Sequence, residues 1–404
     1  MANIQIDLST DLLHGLFSKD GKDEAFSKLL EVILNQVLQH QASEQLGANS
    51  YERSDDRRDY RNGTRSRTLT TRIGTITLDV PRFRSGEFST SLFSRYQRSE
   101  QAFVLSLIEM VINGISTRKV KAVTEELCGT SISKSTVSSL CKKLDPEILK
   151  FRNRPLEAHY PFLIVDAIYT KVRRDNRVRS TGLLIVTGIN GNGYREILGF
   201  SSADSESESS WGNLFYSLKK RGLKNVDLIV SDNHTGLVNA AKKHFQGSSW
   251  QRCQTHFSRN ILDAAPKRLR PELKAQLQVI YNSPDMEKAI ATKNEIIAKY
   301  EAKAPKSIAI LESGFEDVLA ILDLPEKYRK RLRTSNSIER LNEEIRRRER
   351  VIRIFPNEGS LIRLLGALLV EQHEKWSTGK KYFVMDEYHE FNEKKKIKLK
   401  SKIA

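Results

Sequence analysis

Apolar residues recur along this chain with two different periods, and each change of period marks a change of element. In "EAFSKLLEVILNQVLQHQ" they fall at Phe26, Leu29, Leu30, Ile33, Val37 and Leu38, the stripe of a helix. Residues 8–48 as a whole read as helical, and the stripe packs either on its own domain or on a second subunit. From Tyr60 to Arg84 the period drops to two. "TLTTRIGTITLDVPR" predicts a short hairpin that turns near Ile73 and Gly74 and is closed by Pro81. Residues 100–144 return to helix: one from Ser116 to Leu127, a Cys-Gly-Thr turn, and a second opened by Ser133.

The segment from Tyr160 to Cys253 has a third character. "PFLIVDAIYTKV", "RSTGLLIVTGIN" and "YREILGFSS" are strand-like runs joined by "RRDN" and "GNG" turns. A helix at "SESSWGNLFYSLKKRG", a buried strand at "VDLIVSD", a helix at "TGLVNAAKKHF" and a short strand at "SSWQRC" follow. The order is three strands of an antiparallel meander continued by β-α-β crossovers, which is the ribonuclease H-like layout. The 77 residues from 257 to 333 look all-helical, and two more helices come at "NSIERLNEEIRRRERV" and "NEGSLIRLLGALLVEQHEKW". The lysine-rich end, "NEKKKIKLKSKIA", is expected to be disordered.

Charge decides the class of partner. The 404 residues carry 67 Lys and Arg against 50 Asp and Glu, a net charge of +17, which favours a polyanion. Between Tyr51 and Ser99 there are eleven arginines and no lysine, interleaved with Tyr60, Phe83, Phe88, Phe93 and Tyr96. Arginine offers a bidentate fork for phosphate and guanine and stacks on flat rings, so this bias points to nucleic-acid contact. Arg58, Arg61, Arg65, Arg67, Arg82 and Arg84 are the candidates. A short helix, a glycine-containing turn and a polar second helix also make the helix-turn-helix pattern, with Lys134, Ser135 and Thr136 placed to reach phosphates and base edges. No apolar run approaches the ~18 residues of a membrane helix. The N-terminus has no secretory pattern, and three cysteines build no disulfide scaffold, so a cytoplasmic protein is expected.

Three carboxylates stand where chemistry is expected. Asp166 lies inside the apolar strand "FLIVDAIY", where a charge is costly unless paired or metal-bound. Asp232 closes the strand "DLIVSDN", although aspartate also caps helices there. Glu339 in "TSNSIERLNEEIRRR" has an ordinary explanation, because Asn336-x-x-Glu339 is a capping-box pattern. Glu339, Asn342, Glu343 and Arg346 share a polar helix face, so periodicity alone does not choose between Glu339 and Glu343. Phosphodiester cleavage uses carboxylate clusters of this type to hold two divalent ions, and oxygen ligands select Mg²⁺ or Mn²⁺. "SWQRCQTHFSRN" holds a Cys-x-x-His at Cys253 and His256, half of a zinc site with no second half in the sequence.

Taken together, seven segments resemble the Mutator-like transposases of bacterial insertion sequences, in the DDE recombinase superfamily. They are "RNGTRSRTLTTRIGTITLDVPRFRSGEFSTSLFSRYQRSE", "GISTRKVKAVTEELCGTSISKSTVS", "YPFLIVDAIYTKVR", "DSESESSWGNLFYSLKKRGL", "LIVSDNHTGL", "WQRCQTHFSRN" and "TSNSIERLNEEIRRRERVIRIFPN". The resemblance runs in unbroken order over roughly residues 45–375. It implies that Asp166, Asp232 and Glu339 are the metal-binding catalytic triad, with Glu339 preferred over Glu343. It also implies that residues 257–333 are a helical insertion and that Cys253 and His256 are a family signature near the site. Asn233 and Thr235 depart from the usual residues of the family, and neither touches the triad.

The implied reaction is metal-dependent strand cleavage at terminal inverted repeats, followed by attack of the freed 3′-hydroxyl on another phosphodiester. The partners implied are double-stranded DNA, both repeats and target, and at least a second copy of the chain; no membrane is involved. Arg346, Arg347, Arg348 and Arg350 would grip backbone beside the chemistry, unless Glu343–Arg347 pairs merely lace a solvated helix. The rival readings are a non-catalytic DNA-binding regulator that kept the fold and a ribonuclease H-type nuclease.

The fold class expected is mixed α+β and α/β: a ribonuclease H-like core with an all-helical insertion, preceded by a mainly helical DNA-binding region with a small arginine-rich β unit. Its parts are a helical region at 1–50, a candidate for dimerisation, the β unit at 51–99 and the helix-turn-helix-like region at 100–150. The core follows at 158–256, interrupted by the insertion at 257–333 and completed by helices at 334–380. A basic tail fills 381–404.

Overall fold

The computed structural model describes residues 10, 22–71, 74–86, 88–90, 92, 101–128 and 132–403, and it divides into two units, Met1–Lys143 and Leu144–Ala404. In the first unit, helix α1 (Lys22–Leu46) lies along an antiparallel hairpin of β1 (Arg61–Thr71) and β2 (Gly74–Phe83). Leu38 of the helix and Leu69, Ile76 and Leu78 of the hairpin form a small core, with Leu30, Leu34 and Val80 against it.

The helix also covers the exposed edge of β2. Glu31 accepts from the Thr77 N–H at 2.8 Å, while Asn35 accepts from the Asp79 N–H at 2.8 Å and donates to the Thr77 carbonyl at 3.2 Å. An unpaired strand edge is a pairing hazard, and polar side chains of α1 satisfy it. One side of the predicted stripe is therefore used within the unit. The other side is only partly covered, and Phe26 remains 46% exposed. Pro81 does not close the hairpin as expected. It lies within β2 opposite Thr64, beside a bulge between Arg61 and Thr64, a place where a missing N–H is tolerated. Of the turn expected near Ile73 and Gly74, Ile73 lies outside the described residues, and Gly74 opens β2 with a φ of 128°.

Helices α2 (Gln101–Ile112), α3 (Thr117–Cys128) and α4 (Lys134–Cys141) pack on one another, burying Phe103, Leu107, Val120 and Val137. Ser133 caps α4 by accepting from the Thr136 N–H at 3.1 Å, as its position predicted. The turn between α3 and α4 lies outside the described residues.

The second unit begins with α5 (Asp145–Asn153), a segment that the sequence grouped with the N-terminal region. It packs on the strand Arg195–Ala203 and on α14 (Glu358–Thr378), where Arg363 grips Asp145 with two hydrogen bonds of 2.7 Å. The sheet that follows has the order β5-β4-β3-β6-β7. Strands β3 (Phe162–Arg174), β4 (Arg177–Ile189) and β5 (Arg195–Ala203) form the antiparallel meander read from the sequence. Asp175 and Asn176 turn β3 into β4 with φ of 47° and 59°, the left-handed pair that a two-residue hairpin needs. Strands β6 (Leu228–Ser231) and β7 (Ser249–Arg252) then add in parallel to β3. Because β4 is antiparallel to both neighbours, β5, β3, β6 and β7 all point the same way.

Helices cover both faces, which is why β3 and β4 read as nearly continuous apolar runs. On one face α6 (Glu208–Lys220) and α7 (Thr235–His244) bury Trp211, Phe215, Leu218, Leu237 and Ala240 against Leu163, Val165, Leu184 and Leu198. Helix α14 lies against β5 and β3, and its Gly366 meets the Phe200 ring so closely that a Cβ would stand 3.1 Å from it.

Between β7 and α13 (Asn336–Ile352) the described elements are helical: α8 (Gln254–Ala264), α9 (Arg270–Tyr281), α10 (Met286–Tyr300), α11 (Pro305–Gly314), α12 (Glu326–Leu332) and two 3₁₀ turns. Phe257, Leu273, Leu277, Ile296, Leu311 and Leu319 belong to a core of their own.

The tail is a correction. Instead of disorder, residues 386–403 form α15 (Asp386–Ile403). Tyr388, 1% exposed, joins Phe162, Tyr328 and Phe383 in an aromatic cluster, and its hydroxyl donates to Asp227 at 2.8 Å. A lysine run reads as unstructured only while the aromatic anchor before it is ignored.

One buried histidine gives a pH test of this packing. His373 on α14 meets the Phe151 ring with centroids 5.1 Å apart, and burial, helped by Arg154, pushes its pKa down to about 4. The unfolded chain binds this proton near pH ~6.5 and the folded protein does not, so stability is full above that pH and declines as pH falls towards about 4. A loss of about 1–2 kcal/mol at about pH 5 is expected in urea unfolding, and His373→Phe should remove that part of the dependence.

Among the described residues, no helix is long and apolar enough to cross a membrane.

Candidate active site

Asp166 stands in the middle of β3, paired across to Ile185. Apolar neighbours on both sides place its half-buried side chain among helices. Its Oδ2 accepts from Asn342 Nδ2 of α13 at 2.7 Å, and its Oδ1 accepts from the Ala167 N–H at 2.9 Å. Burial is the largest influence and raises the pKa. The bonds from Asn342 and Ala167 oppose it, and the charge of Asp232 adds to the rise.

Asp232 follows directly on β6, at the carboxyl edge of the parallel strands, where sites of open sheets form. Asp232 is not the cap itself, because the N-cap of α7 is His234, whose own side chain makes no cap bond. Asp232 instead accepts the His234 N–H at a long 3.3 Å, leaving most of its oxygen capacity uncommitted. Ser231 behind it is fixed by the indole N–H of Trp250, which donates to its Oγ at 2.9 Å.

Glu339 lies on α13, exposed to solvent. The capping-box explanation fails in register: the N-cap is Ser335, one residue before the expected Asn336. Ile338, Leu341 and Ile345 bury the apolar side of α13, as periodicity predicted. Asn342, which touches Asp166, then sets the angle of the polar side. Glu339 lies three residues before it, about 60° around the helix, and Glu343 about 100° in the same sense, so the two glutamates stand only about 40° apart on one face. The described residues contain no group of three or more His, Cys, Asp and Glu set to hold a metal ion. Asp166 and Asp232 are electrostatically coupled, and Glu339 stands on the adjoining helix face.

The Cys-x-x-His pair has a structural answer. Cys253 is the N-cap residue of α8, fully buried, and its N–H donates to the Ser231 carbonyl at 2.7 Å. Its sulfur lies 3.4 Å from both the N–H and the Oγ of Ser335, the N-cap residue of α13. One cysteine thus ties the end of β6, the start of α8 and the start of α13. Burial pushes the Cys253 thiol up, but bonds with His256 and Ser335 outweigh it and the net pKa falls. His256, one turn along α8, is raised chiefly by that pairing with Cys253, and next among the favourable influences by the charges of Asp166 and Asp232. The signature is therefore a bolt beside the two aspartates.

Sequence reasoning missed Glu206, which is 8% exposed between β5 and α6 and couples to both aspartates. Its place becomes evident only once β5 is seen to run parallel to β3 and β6. It also missed Ser335.

The DNA-contact candidates are spread over both units. Arg58, Arg65, Arg82 and Arg84 are exposed, whereas Arg61 is half-buried, bonded to Gln39 and Ser43 of α1. Tyr60 is flanked by the guanidinium groups of Arg57 at 5.6 Å and Arg84 at 5.8 Å, the stacking that the composition suggested. Arg67 is half-buried. Lys134, Ser135 and Thr136 are exposed at the start of α4, with the last two hydroxyls bonded to Ser133 Oγ at 2.8 Å each. On α13, Arg346 is exposed, but Arg348 is 4% exposed and held by Glu344, which also takes Arg347 at 3.2 Å. Arg348 is thus a buried structural cation, and the pairing glutamate is Glu344 rather than Glu343.

Comparison with known proteins finds similarity over most of the chain. Residues 2–379 match the family model described as transposase, Mutator family. The chain is 42% identical over 390 residues to the transposase for insertion sequence element IS256 in transposon Tn4001 of Staphylococcus aureus, covering 96% of this chain and all of that protein. It is 43% identical over 367 residues to the transposase for element ISRM5 of Rhizobium meliloti, covering 91% and 92% of the two chains. With the transposase for element IS1081 of Mycobacterium tuberculosis the identity is 38% over 360 residues, covering 89% and 87%.

Proposed function

This chain belongs to the Mutator family of transposases, and from that premise we propose that it cuts and joins DNA at the ends of an insertion sequence with a ribonuclease H-like core. The observation that carries the proposal is the hydrogen bond from Asn342 to Asp166, which holds the helix bearing Glu339 against the strand bearing the first aspartate. Asp232 enters from the carboxyl edge of the neighbouring strand.

The donor set is all oxygen, with the carboxylates of Asp166, Asp232 and Glu339, and the buried Oδ1 of Asn342 has no partner. This fits Mg²⁺ or Mn²⁺. Two such ions, when bound, activate the attacking oxygen and neutralise charge on the leaving oxygen. The chain's own part is to set Asp166 and Asp232 within electrostatic reach of one another and to fix α13 through Cys253 and Ser335. It also binds the terminal inverted repeats through Arg58, Arg65, Arg82, Arg84 and the start of α4. Cleavage leaves a 3′-hydroxyl, which attacks a phosphodiester of the target and displaces its 3′-oxygen. Because two ends must be paired, the working form is a homodimer or larger, acting on DNA in the bacterial cytoplasm.

The test is incubation of the purified protein and Mg²⁺ with a labelled duplex carrying the element's own end, beside Asp232→Ala. Cleavage at the element boundary that leaves a 3′-hydroxyl and is lost in the variant is the expected result. Specific binding with no cutting in Mg²⁺ or Mn²⁺ would overturn it in favour of a DNA-binding regulator that kept the fold.

A further inference from the structure

Asp232 follows the carboxyl end of β6, whereas Leu228 and Ser249, which open β6 and β7, line a cleft of about 930 Å³ at the other end of the same strands. Four residues of strand, about 13 Å, separate Leu228 from Asp232. The cleft is walled by the carboxyl ends of α6 and α7 and by the first half of α15. Its lining is mostly polar and carries four lysines, Lys219, Lys224, Lys243 and Lys395, against two acids, Asp227 and Asp323. Asp227 is already engaged. The Tyr388 hydroxyl donates to its Oδ2 at 2.8 Å, and His159 Nε2 lies 3.0 Å from the same oxygen.

Two of the lysines have ordinary tasks. Lys219 and Lys243 sit in the last turns of α6 and α7, where cations offset the helix dipole. They reach the His244 carbonyl at 3.0 Å and Glu208 at 3.4 Å. Lys224, in the loop before β6, and Lys395, in α15, occupy no such last turn. Both are exposed, and among the described residues neither has an ion-pair partner. From Lys395 the backbone of α15 runs on to Ile403, about 12 Å further. Over that stretch the sequence adds Lys396, Lys398, Lys400 and Lys402 and no acid.

We propose that this cleft and α15 form a second DNA surface, which grips the phosphate backbone of duplex DNA without regard to sequence. A pocket for a small molecule is lined mainly by apolar side chains, with few polar groups. A polar cleft that runs on into a lysine-bearing helix instead suits a polymer with charge repeated along it. Duplex DNA carries one negative charge per about 1.7 Å of its axis. Because the cleft lies at the end of the strands away from Asp232, it anchors a duplex segment other than the phosphodiester being cut. The surface goes beyond cleavage at the element's ends and does not depend on it.

The experiment measures binding of a labelled duplex of unrelated sequence to the full-length protein over a range of salt concentrations. The wild type is compared with Lys224→Gln combined with Lys395→Gln, and with a control of equal charge change. The control is Lys274→Gln of α9 combined with Lys306→Gln of α11, both exposed. Thermal unfolding checks the fold of each. The cleft pair should reduce the slope of log affinity against log salt by about 2, since each lost phosphate contact removes about 0.9, while the control pair keeps the wild-type slope. In the unaltered protein, the duplex should slow acetylation of Lys224 and Lys395 several-fold and leave Lys274 and Lys306 unaffected. Equal changes in the two pairs would show that only overall charge matters and would overturn the proposal. A cleft pair that keeps the wild-type slope on duplex DNA but loses it on single-stranded RNA would overturn it in favour of RNA.

Discussion

Glu339→Gln is expected to abolish strand cleavage at the element's end, lowering the rate by about 10²–10⁴-fold, the several kcal/mol that metal-centred charge stabilisation supplies. Glu343→Gln, one turn along the same helix, should stay within a few-fold of the wild type. Glu339 lies nearer than Glu343 to the direction of Asn342, about 60° against about 100° around the helix, and the bond from Asn342 to Asp166 fixes the rotation of α13. Both glutamates are exposed and neither is spent on a cap, so both variants should fold and bind DNA. Cleavage of one labelled strand under single-turnover conditions, with binding measured in parallel, separates chemistry from recognition. Equal losses in the two variants would show that the helix is turned otherwise when it works.

The second large effect is expected at Asn342 itself. Asn342→Ala removes the side-chain bond that opposes the burial of Asp166. A carboxylate that loses such a donor becomes harder to ionise, and groups that orient metal ligands contribute about 10–100-fold in affinity or activity. The variant should therefore need more Mg²⁺ for half-maximal cleavage, and raising the pH should restore part of its activity, because deprotonation of Asp166 then competes better. Stability should fall by only about 1–3 kcal/mol, since one buried acceptor loses its partner. A variant with unchanged Mg²⁺ dependence would remove Asn342 from the site.

Much of this arrangement was legible in the sequence. The alternation and apolar runs from Tyr160 to Cys253 are local signals, and the strands they predict are the strands observed. Asp166 and Asp232 stood out because a charge inside or directly after an apolar strand is conspicuous. The missed features depend on contacts distant in sequence. Glu206 sits among serines before a helix and looks like ordinary surface until β5 is known to run parallel to β6. Cys253 looked like half a metal site because its true partner, Ser335, lies 82 residues away. Helix α15 was read as disorder since its anchor, Tyr388, finds Asp227 on the far side of the chain. Helix α1 offered a stripe without saying what covered it, and the answer came from strand edges that hold no apolar signal.

The interruption between β7 and α13 leaves and returns at one place. The Gln254 N–H donates to the Arg333 carbonyl at 3.0 Å, and Cys253 meets Ser335 at the same junction. The helices between these two points close a ring upon their own core. Extending such a ring adds little entropy, roughly 0.6 kcal/mol for each doubling of its length. A descendant of this chain is thus free to lengthen, shorten or replace that stretch while the distance from the second aspartate to the final glutamate stays the same, so change can accumulate at the periphery without passing through an inactive ancestor.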